Sequence, residues 1–263
     1  MSSNKYVAVD LGSSRITAIA AEIQTDGAFK ILALESKSSD DVKYDIVEQV
    51  SGAAFKVNEI VKLLHNIARI DEIEQVSVSI GAKSMKNKIV SVSRFVGAAK
   101  IVTEALLAEM HVECEKKAEV EHQKIFDVIP LSYQLDGRFM DDPVNEKATQ
   151  ITGSYNVIYG NEIISAELER CFDRTGLKLE CRSLSSEAIS KAILSTQERE
   201  EGCALINFGA STTTLSIYSQ GALQQLLVVP LGGSNITRDI QELGISENHA
   251  ERLKCLKGTA LES

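Results

Sequence analysis

The pattern of apolar and polar positions predicts a chain that opens with a three-stranded meander. Residues 5–23 alternate apolar and small residues, Asp26-Gly27 forms a turn, and residues 28–37 supply a third strand. Alternation with a period of two is typical of strands that bury one face, and Asp-Gly between two such segments favours a hairpin. Apolar residues at helical spacing over 58–70, then renewed alternation over 74–80, predict a helix followed by a strand.

Residues 83–164 have a different pattern, which predicts an inserted α+β unit. Its apolar positions suggest strands around residues 89–96, over 124–130 and over 153–159, the second of them closed by Pro130. Between the first two strands, the pattern predicts a helix over 103–120, with Thr103 as its N-cap.

The remaining residues predict that the strand pattern of the first residues begins again after several intervening elements. A helix over 162–176, which Gly176 ends, leads to a strand over 177–183, a helix over 186–194 and a charged linker over 195–202. From Cys203 to Val229, two strands around a small-residue turn and a third strand follow in the order seen in residues 5–34, a weak internal duplication.

The turns that open the two meanders share their chemistry. The first reads Asp10-Leu11-Gly12-Ser13-Ser14-Arg15, and the second reads Asn207-Phe208-Gly209-Ala210-Ser211-Thr212-Thr213. Each has a short polar residue where a strand ends and a glycine two residues later. Backbone N–H groups and hydroxyls in such turns can hold phosphate oxygens. Turn geometry alone also explains such residues in many hairpins.

A third candidate anion site follows the last predicted strand. Gly232-Gly233 allows a close turn after Pro230, and Ser234 or Asn235 is expected to cap the next helix. The free N–H groups of a helix N-terminus attract negative charge. An ordinary capped helix after a glycine turn is the alternative explanation.

Composition narrows the function classes. The chain has 263 residues, a net charge of −9 and 44% hydrophobic residues, which describes a globular protein of one large or two modest domains and argues against a general nucleic-acid binder. No apolar run is long enough for a membrane span, and a polar start that passes straight into a strand predicts no signal peptide. Five cysteines without a CxxC pair favour reduced thiols and a cytoplasmic location.

These motifs resemble the actin/Hsp70/sugar-kinase ATPase superfamily and, within it, the FtsA family of bacterial cell-division proteins. Residues 7–15 look like the first phosphate motif, with Arg15 where the family often has Lys, and residues 206–214 look like the second. Further similarity lies in residues 128–133, 142–144, 217–223, 230–240 and 250–260. The insertion after the strand at 74–80 is similar to the family's distinctive subdomain 1C.

The resemblance implies an α/β, actin-like (ribonuclease H-like) ATPase fold with a truncated second half. Residues 1–82 and 165–200 would form subdomain 1A, 83–164 subdomain 1C, 201–237 the start of 2A, and 238–263 the start of an incomplete fourth subdomain, 2B. It implies ATP and Mg²⁺ as cofactors, with Asp10 and Asn207 as catalytic positions and Asp10 holding the metal through water. The implied phosphate-binding residues are Gly12, Ser13, Ser14, Arg15, Gly209, Ala210, Ser211, Thr212, Thr213, Gly232, Gly233 and Ser234.

Several positions depart from the family pattern. Asn207 stands where Asp is usual, which predicts weak or absent hydrolysis because an amide is neither charged nor basic. Ala210 replaces a glycine and is expected to disfavour positive φ, and Thr214 replaces a later Asp. The adenosine-contacting glycine motif and the C-terminal amphipathic membrane helix of the family do not occur before Ser263, so we expect weak nucleotide binding.

The resemblance therefore implies a nucleotide-binding scaffold of cell division. Such a protein would anchor FtsZ filaments at the cytoplasmic face of the inner membrane, recruit later division proteins and self-associate into filaments. A pilus-assembly relative of FtsA and a small-molecule kinase of the same superfamily are the alternatives. A kinase needs a substrate carboxylate as base in the cleft, for which the sequence offers no obvious equivalent.

Overall fold

The computed structural model describes residues 5–70 and 73–259, except for the side chains of residues 98 and 99. The strands of this part of the chain are β1 (Lys5–Leu11), β2 (Arg15–Ile23), β3 (Phe29–Ser38), β4 (Val42–Lys43), β5 (Ile46–Val47), β6 (Gln75–Ile80), β7 (Lys86–Ile101), β8 (Gln123–Leu135), β9 (Arg138–Met140), β10 (Lys147–Asn161), β11 (Lys178–Leu184), β12 (Cys203–Phe208), β13 (Thr213–Ser219) and β14 (Ala222–Val229). The helices are α1 (Val50–Ala68), α2 (Glu104–Ala118), α3 (Ile163–Thr175), α4 (Ser185–Ile193), α5 (Thr196–Glu201), α6 (Gly233–Gln241) and α7 (Glu247–Lys257).

The first sheet has the strand order β11-β6-β1-β2-β3. β1 is antiparallel to β2 and parallel to β6, which is parallel to β11. In β1, Val7, Val9 and Leu11 are buried and alternate with exposed residues, which confirms the predicted period of two. The buried face of α1 contacts β2, β3 and α3. This packing fixes the end of the sheet from which the β1–β2 turn projects.

Residues 86–161 form a separate sheet with the order β7-β10-β8-β9. α2 contacts three of its strands and contributes Met110 and Cys114 to a second apolar core. Thr103 caps α2 as predicted, because its Oγ1 accepts a hydrogen bond from the Leu106 N–H at 3.2 Å. The third sheet, β12-β13-β14, comes from residues 203–229.

The subdomain boundaries at residues 82, 164, 200 and 237 stay a prediction. Residues 1–4 and 71–72 of the expected subdomain 1A lie outside the described residues. So do residues 260–263 of the expected subdomain 2B.

The structure corrects the predicted start of α1 and the predicted linker after α4. α1 begins at Val50 and not near residue 58, because the small residues Ala53 and Ala54 are buried in its first turns. Residues 196–201 form α5, where a linker is predicted. Ser195 Oγ accepts from the Glu198 N–H, and the Glu198 carboxylate accepts from the Ser195 N–H, which is the capping box that starts short helices.

β8 also differs from its prediction, since it continues past Pro130 to Leu135. Pro130 pairs with Tyr155 next to a register shift in the β8–β10 ladder. A strand tolerates proline at a bulge because the missing N–H is then not needed by the ladder. The predicted end of α3 is confirmed, because Gly176 has a left-handed φ of 76° and its N–H donates to the Phe172 carbonyl.

Within the described part of the chain, no strand pairs with the outer edge of β12 in the third sheet. β12 pairs with β13 alone, and its side chains Ile206 and Phe208 are 51% and 78% exposed. Unpaired edges with apolar side chains promote association with further chain.

At the opposite edge, two asparagines join β14 to the inserted sheet. The buried Asn156 amide donates to the Leu223 carbonyl at 2.7 Å, and its Oδ1 accepts from Asn87 Nδ2 at 2.8 Å. Asn87 Oδ1 in turn accepts from the Leu226 N–H at 3.1 Å. Side-chain amides thereby satisfy backbone groups that a neighbouring strand would otherwise pair.

We expect Asn156→Ala to lower the free energy of unfolding by about 1–3 kcal/mol, because it leaves a buried carbonyl without a donor. Urea denaturation followed by circular dichroism measures this loss. The control is Asn66→Ala on the exposed side of α1, for which a change within about 0.5 kcal/mol is expected. Equal effects of the two substitutions would contradict a stabilising role for the asparagine pair.

Candidate nucleotide phosphate site

The two glycine-containing turns meet, although they are far apart in sequence. The first joins β1 to β2, and the second joins β12 to β13. Ser211 Oγ donates a hydrogen bond of 2.6 Å to Ser13 Oγ, a residue 198 positions earlier. The two turns therefore face each other in the described structure.

The strand ends beside the turns occupy equivalent positions. Asp10 pairs with Thr17 across the first hairpin, and Asn207 pairs with Thr214 across the second. Asp10 Oδ1 accepts a hydrogen bond of 2.8 Å from Ser79 Oγ, which fixes one carboxylate oxygen and leaves the side chain exposed. The two positions thus share their place and differ in charge.

Glycine is required at both turns for steric reasons. A Cβ atom at Gly12 would lie 2.9 Å from the Arg15 carbonyl oxygen, and one at Gly209 would lie 2.9 Å from the Thr212 carbonyl oxygen. Ala210 does not have a positive φ. This agrees with the expectation that its methyl group disfavours positive φ, and the second turn uses ordinary backbone geometry there.

A cavity of about 450 Å³ opens between the turns. Predicted site residues that line it are Asp10, Gly12, Ser13, Ser14, Arg15, Asn207, Gly209, Ala210 and Thr212. Predicted site residues outside this lining are Ser211, Thr213, Gly232, Gly233 and Ser234. Ser211 contacts Ser13 directly, whereas Thr213 Oγ1 donates to the Leu231 carbonyl at 2.7 Å.

The start of α6 supports the second turn and does not present free amides to the cavity. The N–H groups of Gly233 and Ser234 donate to the carbonyls of Gly209 and Ala210. A Cβ at Gly232 would lie 2.5 Å from the Gly209 carbonyl oxygen, so glycine permits this approach. The helix N-cap is Gly232, and the Gly232 N–H donates to Asn235 Oδ1 at 2.9 Å. These contacts correct the expected capping by Ser234 or Asn235 and do not favour phosphate binding by residues 232–234.

A hairpin that the sequence patterns do not predict reaches into the site. Tyr44 and Asp45 form the two-residue turn between β4 and β5, with φ values of 52° and 60°. The Tyr44 N–H donates to Ser211 Oγ at 3.0 Å, while Asp45 accepts from Ser13 Oγ at 3.2 Å and from Thr212 Oγ1 at 2.7 Å. The usable signal is an aspartate between two short segments that contain β-branched residues, Val42 before it and Ile46-Val47 after it. Aspartate tolerates left-handed turn positions.

Burial raises the pKa of the Asp45 carboxyl above its ordinary value. The hydrogen bonds from Thr212 and Ser13 oppose this rise, and the negative charge of Asp10 adds to it. Among the described residues that line the cavity, Arg15 supplies a guanidinium, and Asp10 and Asp45 supply carboxylates. This charge pattern suits a phosphate accompanied by a divalent cation better than a bare phosphate.

The cavity fits Mg²⁺ with a phosphate ligand better than a metal held by protein alone. No group of three or more His, Cys, Asp or Glu side chains within residues 5–70 and 73–259 could hold a metal ion. Mg²⁺ commonly takes one or two carboxylates and completes its shell with water and phosphate oxygens. Asp10, with a carboxylate at the cavity wall, matches that requirement.

The raised pKa of Asp45 predicts a specific pH dependence of stability. The stabilisation linked to protonated Asp45 is fully present below its unfolded-state pKa of about 4 and is lost as pH rises through the higher folded-state pKa. We therefore expect the free energy of unfolding of the wild type, relative to Asp45→Asn, to fall as the pH rises above about 4. Urea denaturation at several pH values measures the difference, since shared titrating groups cancel. Parallel profiles would contradict the assignment.

The chain is similar in sequence to a bacterial cell-division protein. The family model described as cell division protein FtsA matches residues 204–263. Similar relatives include the cell division protein FtsA of Borreliella burgdorferi, 28% identical over 99% of this chain and 63% of that protein. FtsA of Bacillus subtilis is 29% identical over 97% of this chain and 58% of its own length. The chain thus spans about three fifths of the length of these relatives.

Solved structures show the same fold at low sequence identity. A PilM-PilN type IV pilus biogenesis complex matches with a TM-score of 0.71 and 15% identity, over 95% of this chain and 69% of that chain. MreB5 of Spiroplasma citri bound to ADP matches with a TM-score of 0.54 and 11% identity, over 99% of this chain and 64% of that chain. No described helix is both long and apolar enough to cross a membrane. The predicted actin-like ATPase fold is confirmed, and so is the predicted similarity to the bacterial cell-division protein FtsA, which extends over nearly the whole chain.

Proposed function

We propose that this chain supplies the phosphate-binding part of an FtsA-type cell-division protein, an actin-like scaffold that binds ATP with Mg²⁺. The observation that carries the proposal is the meeting of the two glycine turns across one cavity, joined by the Ser211–Ser13 hydrogen bond. Similarity to FtsA over nearly the whole chain supports the division role. The ADP-bound MreB5 structure, which shares the fold, supports a nucleotide in this cleft.

The proposed roles of the turn residues follow from their chemistry. Backbone N–H groups around Gly12 and the hydroxyls of Ser13, Ser14 and Thr212 are donors that suit phosphate oxygens, whereas the Gly209 N–H donates to the Thr212 carbonyl at 2.8 Å and shapes the second turn. The Arg15 guanidinium adds a positive charge and planar donors that can engage two phosphate oxygens. Ser211 and Thr213 serve the second turn by holding its shape.

The proposed catalytic positions favour binding over hydrolysis. Mg²⁺, when present with the nucleotide, neutralises part of the phosphate charge, and Asp10 would hold it through water. Asn207 occupies the position equivalent to Asp10 but carries no charge and cannot accept a proton as a base. We therefore propose that ATP acts as a conformational switch in this protein, with weak or no turnover.

The proposed partners follow from the family likeness and from exposed surface. An FtsA-type protein would anchor FtsZ filaments at the cytoplasmic face of the inner membrane through a C-terminal helix and would form filaments of its own. The inserted sheet offers Phe95 and Phe139, which are 77% and 74% exposed, as part of a surface for later division proteins. The exposed edge of β12 offers a surface for further chain.

The two alternative functions receive less support. The PilM likeness, at 15% identity, supports a shared fold and does not favour a pilus role over division. A small-molecule kinase requires a free carboxylate as its base. Asp45 does line the cavity, but both of its oxygens accept hydrogen bonds from Ser13 and Thr212.

A direct test is titration of the ¹⁵N-labelled chain with Mg·ATP by NMR. We expect a dissociation constant in the millimolar range, or roughly −4 kcal/mol, with shifts at the amides of both glycine turns. Arg15→Gln should weaken binding about tenfold by removing a charged donor. Arg138→Gln, which removes the same charge from the exposed β9 hairpin, is the matched control. Absence of shifts at both turns would refute the proposed site.

A second prediction concerns turnover. Asn207→Asp should raise steady-state phosphate release from Mg·ATP, by up to about 100-fold, because a carboxylate can orient water and accept a proton. Asn161→Asp, at an exposed position outside the cavity, makes the same chemical change as a control. Equal rates for the wild type and Asn207→Asp would remove position 207 from the proposed catalytic pair.

A further inference from the structure

The tip of the β4–β5 hairpin lies between the two phosphate turns. Asp45 Oδ1 accepts from Ser13 Oγ, and Asp45 Oδ2 accepts from Thr212 Oγ1. The Asp45 N–H also donates to Ser13 Oγ at 3.2 Å, so Ser13 is engaged from two sides. One residue therefore bridges turns that belong to different sheets.

The same tip engages a third hydroxyl of the turns, that of Ser211. Ser211 Oγ accepts from the Tyr44 N–H and donates to Ser13 Oγ. The hydroxyls of Ser13, Ser211 and Thr212 consequently donate within the protein. Their final acceptor is a carboxylate, which presents anionic oxygens to donors much as a phosphate does.

We propose that Asp45 is a built-in occupant of the phosphate site, which nucleotide phosphates must displace before the two turns can hold them. This inference rests on the proposed function and adds a regulatory step to it. A phosphate that enters while Asp45 is in place meets a fixed negative charge beside that of Asp10 and finds the hydroxyls of Ser13 and Thr212 already donating to Asp45. Displacement of the hairpin tip releases those donors and removes the like charge.

The backbone of the tip is suited to such movement. Tyr44 and Asp45 are consecutive non-glycine residues in the left-handed region, a conformation that persists only where surrounding contacts hold it. Lys83 holds the Tyr44 side, with its Nζ 3.9 Å from the ring centroid and its N–H donating to the Tyr44 carbonyl. The contacts that hold the Asp45 side are those with Ser13 and Thr212, which a phosphate would replace. Burial disfavours the charged form of Asp45 and so raises its pKa, which adds to the strain of this position.

The test uses inorganic tripolyphosphate with Mg²⁺ as the probe, because it carries the phosphates without the nucleoside. Asp45→Gly removes the carboxylate and suits the φ of 60°, so the hairpin should still fold. We expect this variant to bind the probe at least tenfold more tightly than the wild type. Asp136→Gly is the matched control, because Asp136 also has a positive φ in a two-residue hairpin turn outside the cavity.

The outcomes separate this inference from the proposed function. Equal affinity of wild type and Asp45→Gly overturns the built-in occupant and leaves the phosphate site standing. Weaker binding by Asp45→Gly overturns it as well and makes Asp45 part of the metal–phosphate site. Absence of binding by every variant refutes the proposed function and this inference together.

Hydrogen exchange gives a second, independent readout in the wild-type protein. Saturating Mg·tripolyphosphate should accelerate exchange of the Tyr44 amide, because its bond to Ser211 Oγ is lost when the tip moves. The Thr149 amide, which donates to the Asp136 carboxylate away from the cavity, should keep its exchange rate and serves as the internal control. Unchanged protection of Tyr44 in the bound state would overturn the displacement.

Discussion

The arrangement of this molecule depends on the close approach of two glycine turns that belong to different sheets. The hydrogen bond between Ser211 and Ser13 is possible only because Gly12 and Gly209 keep each turn tight and Gly232 lets the start of α6 press against the second turn. Every donor proposed for phosphate lies on or beside this contact. A side chain at any of the three glycines would bring its Cβ to 2.5–2.9 Å from a backbone carbonyl oxygen, which is too close.

The contact between the turns is supported from outside the cavity. Asn156 and Asn87 hold β14 to the inserted sheet, and the buried Tyr218 hydroxyl donates to the Ser186 carbonyl at the start of α4. The third sheet is therefore attached to the inserted sheet and to α4 by hydrogen bonds between buried or half-buried groups. Such bonds are costly to leave unmade, so they fix the position of the second turn relative to the first.

The chemistry of the cavity is asymmetric although its architecture is nearly symmetric. Asp10 and Asn207 hold equivalent positions in their hairpins, but Asp10 alone can contribute charge. Asp45, on the β4–β5 hairpin, supplies a second carboxylate to the cavity. Hydrogen bonds from both turns hold this carboxylate in place. These features support the proposal that the site binds phosphate more readily than it drives hydrolysis.

The sequence by itself determined the local structure and the similarity to FtsA. Period-two alternation in β1 and turn chemistry at Gly12 and Gly209 can be read within a few residues, because they depend on neighbouring backbone. Even so, large apolar residues alone placed the start of α1 too late, since buried alanines carry little periodic signal. Pro130 likewise predicted the end of β8, but the strand continues past it because the ladder shifts register there.

Tertiary structure alone decided how the site is assembled. The partners of Asp45 lie 32 and 167 positions away, and Ser211 reaches a residue 198 positions away, so no local pattern encodes these contacts. In sequence, the start of α6 resembles a free anion site. In the folded protein its amides donate to the carbonyls of Gly209 and Ala210, because the third sheet packs α6 against the second turn. Local sequence specifies which groups are available, whereas only the packing of distant elements decides which partner each group takes.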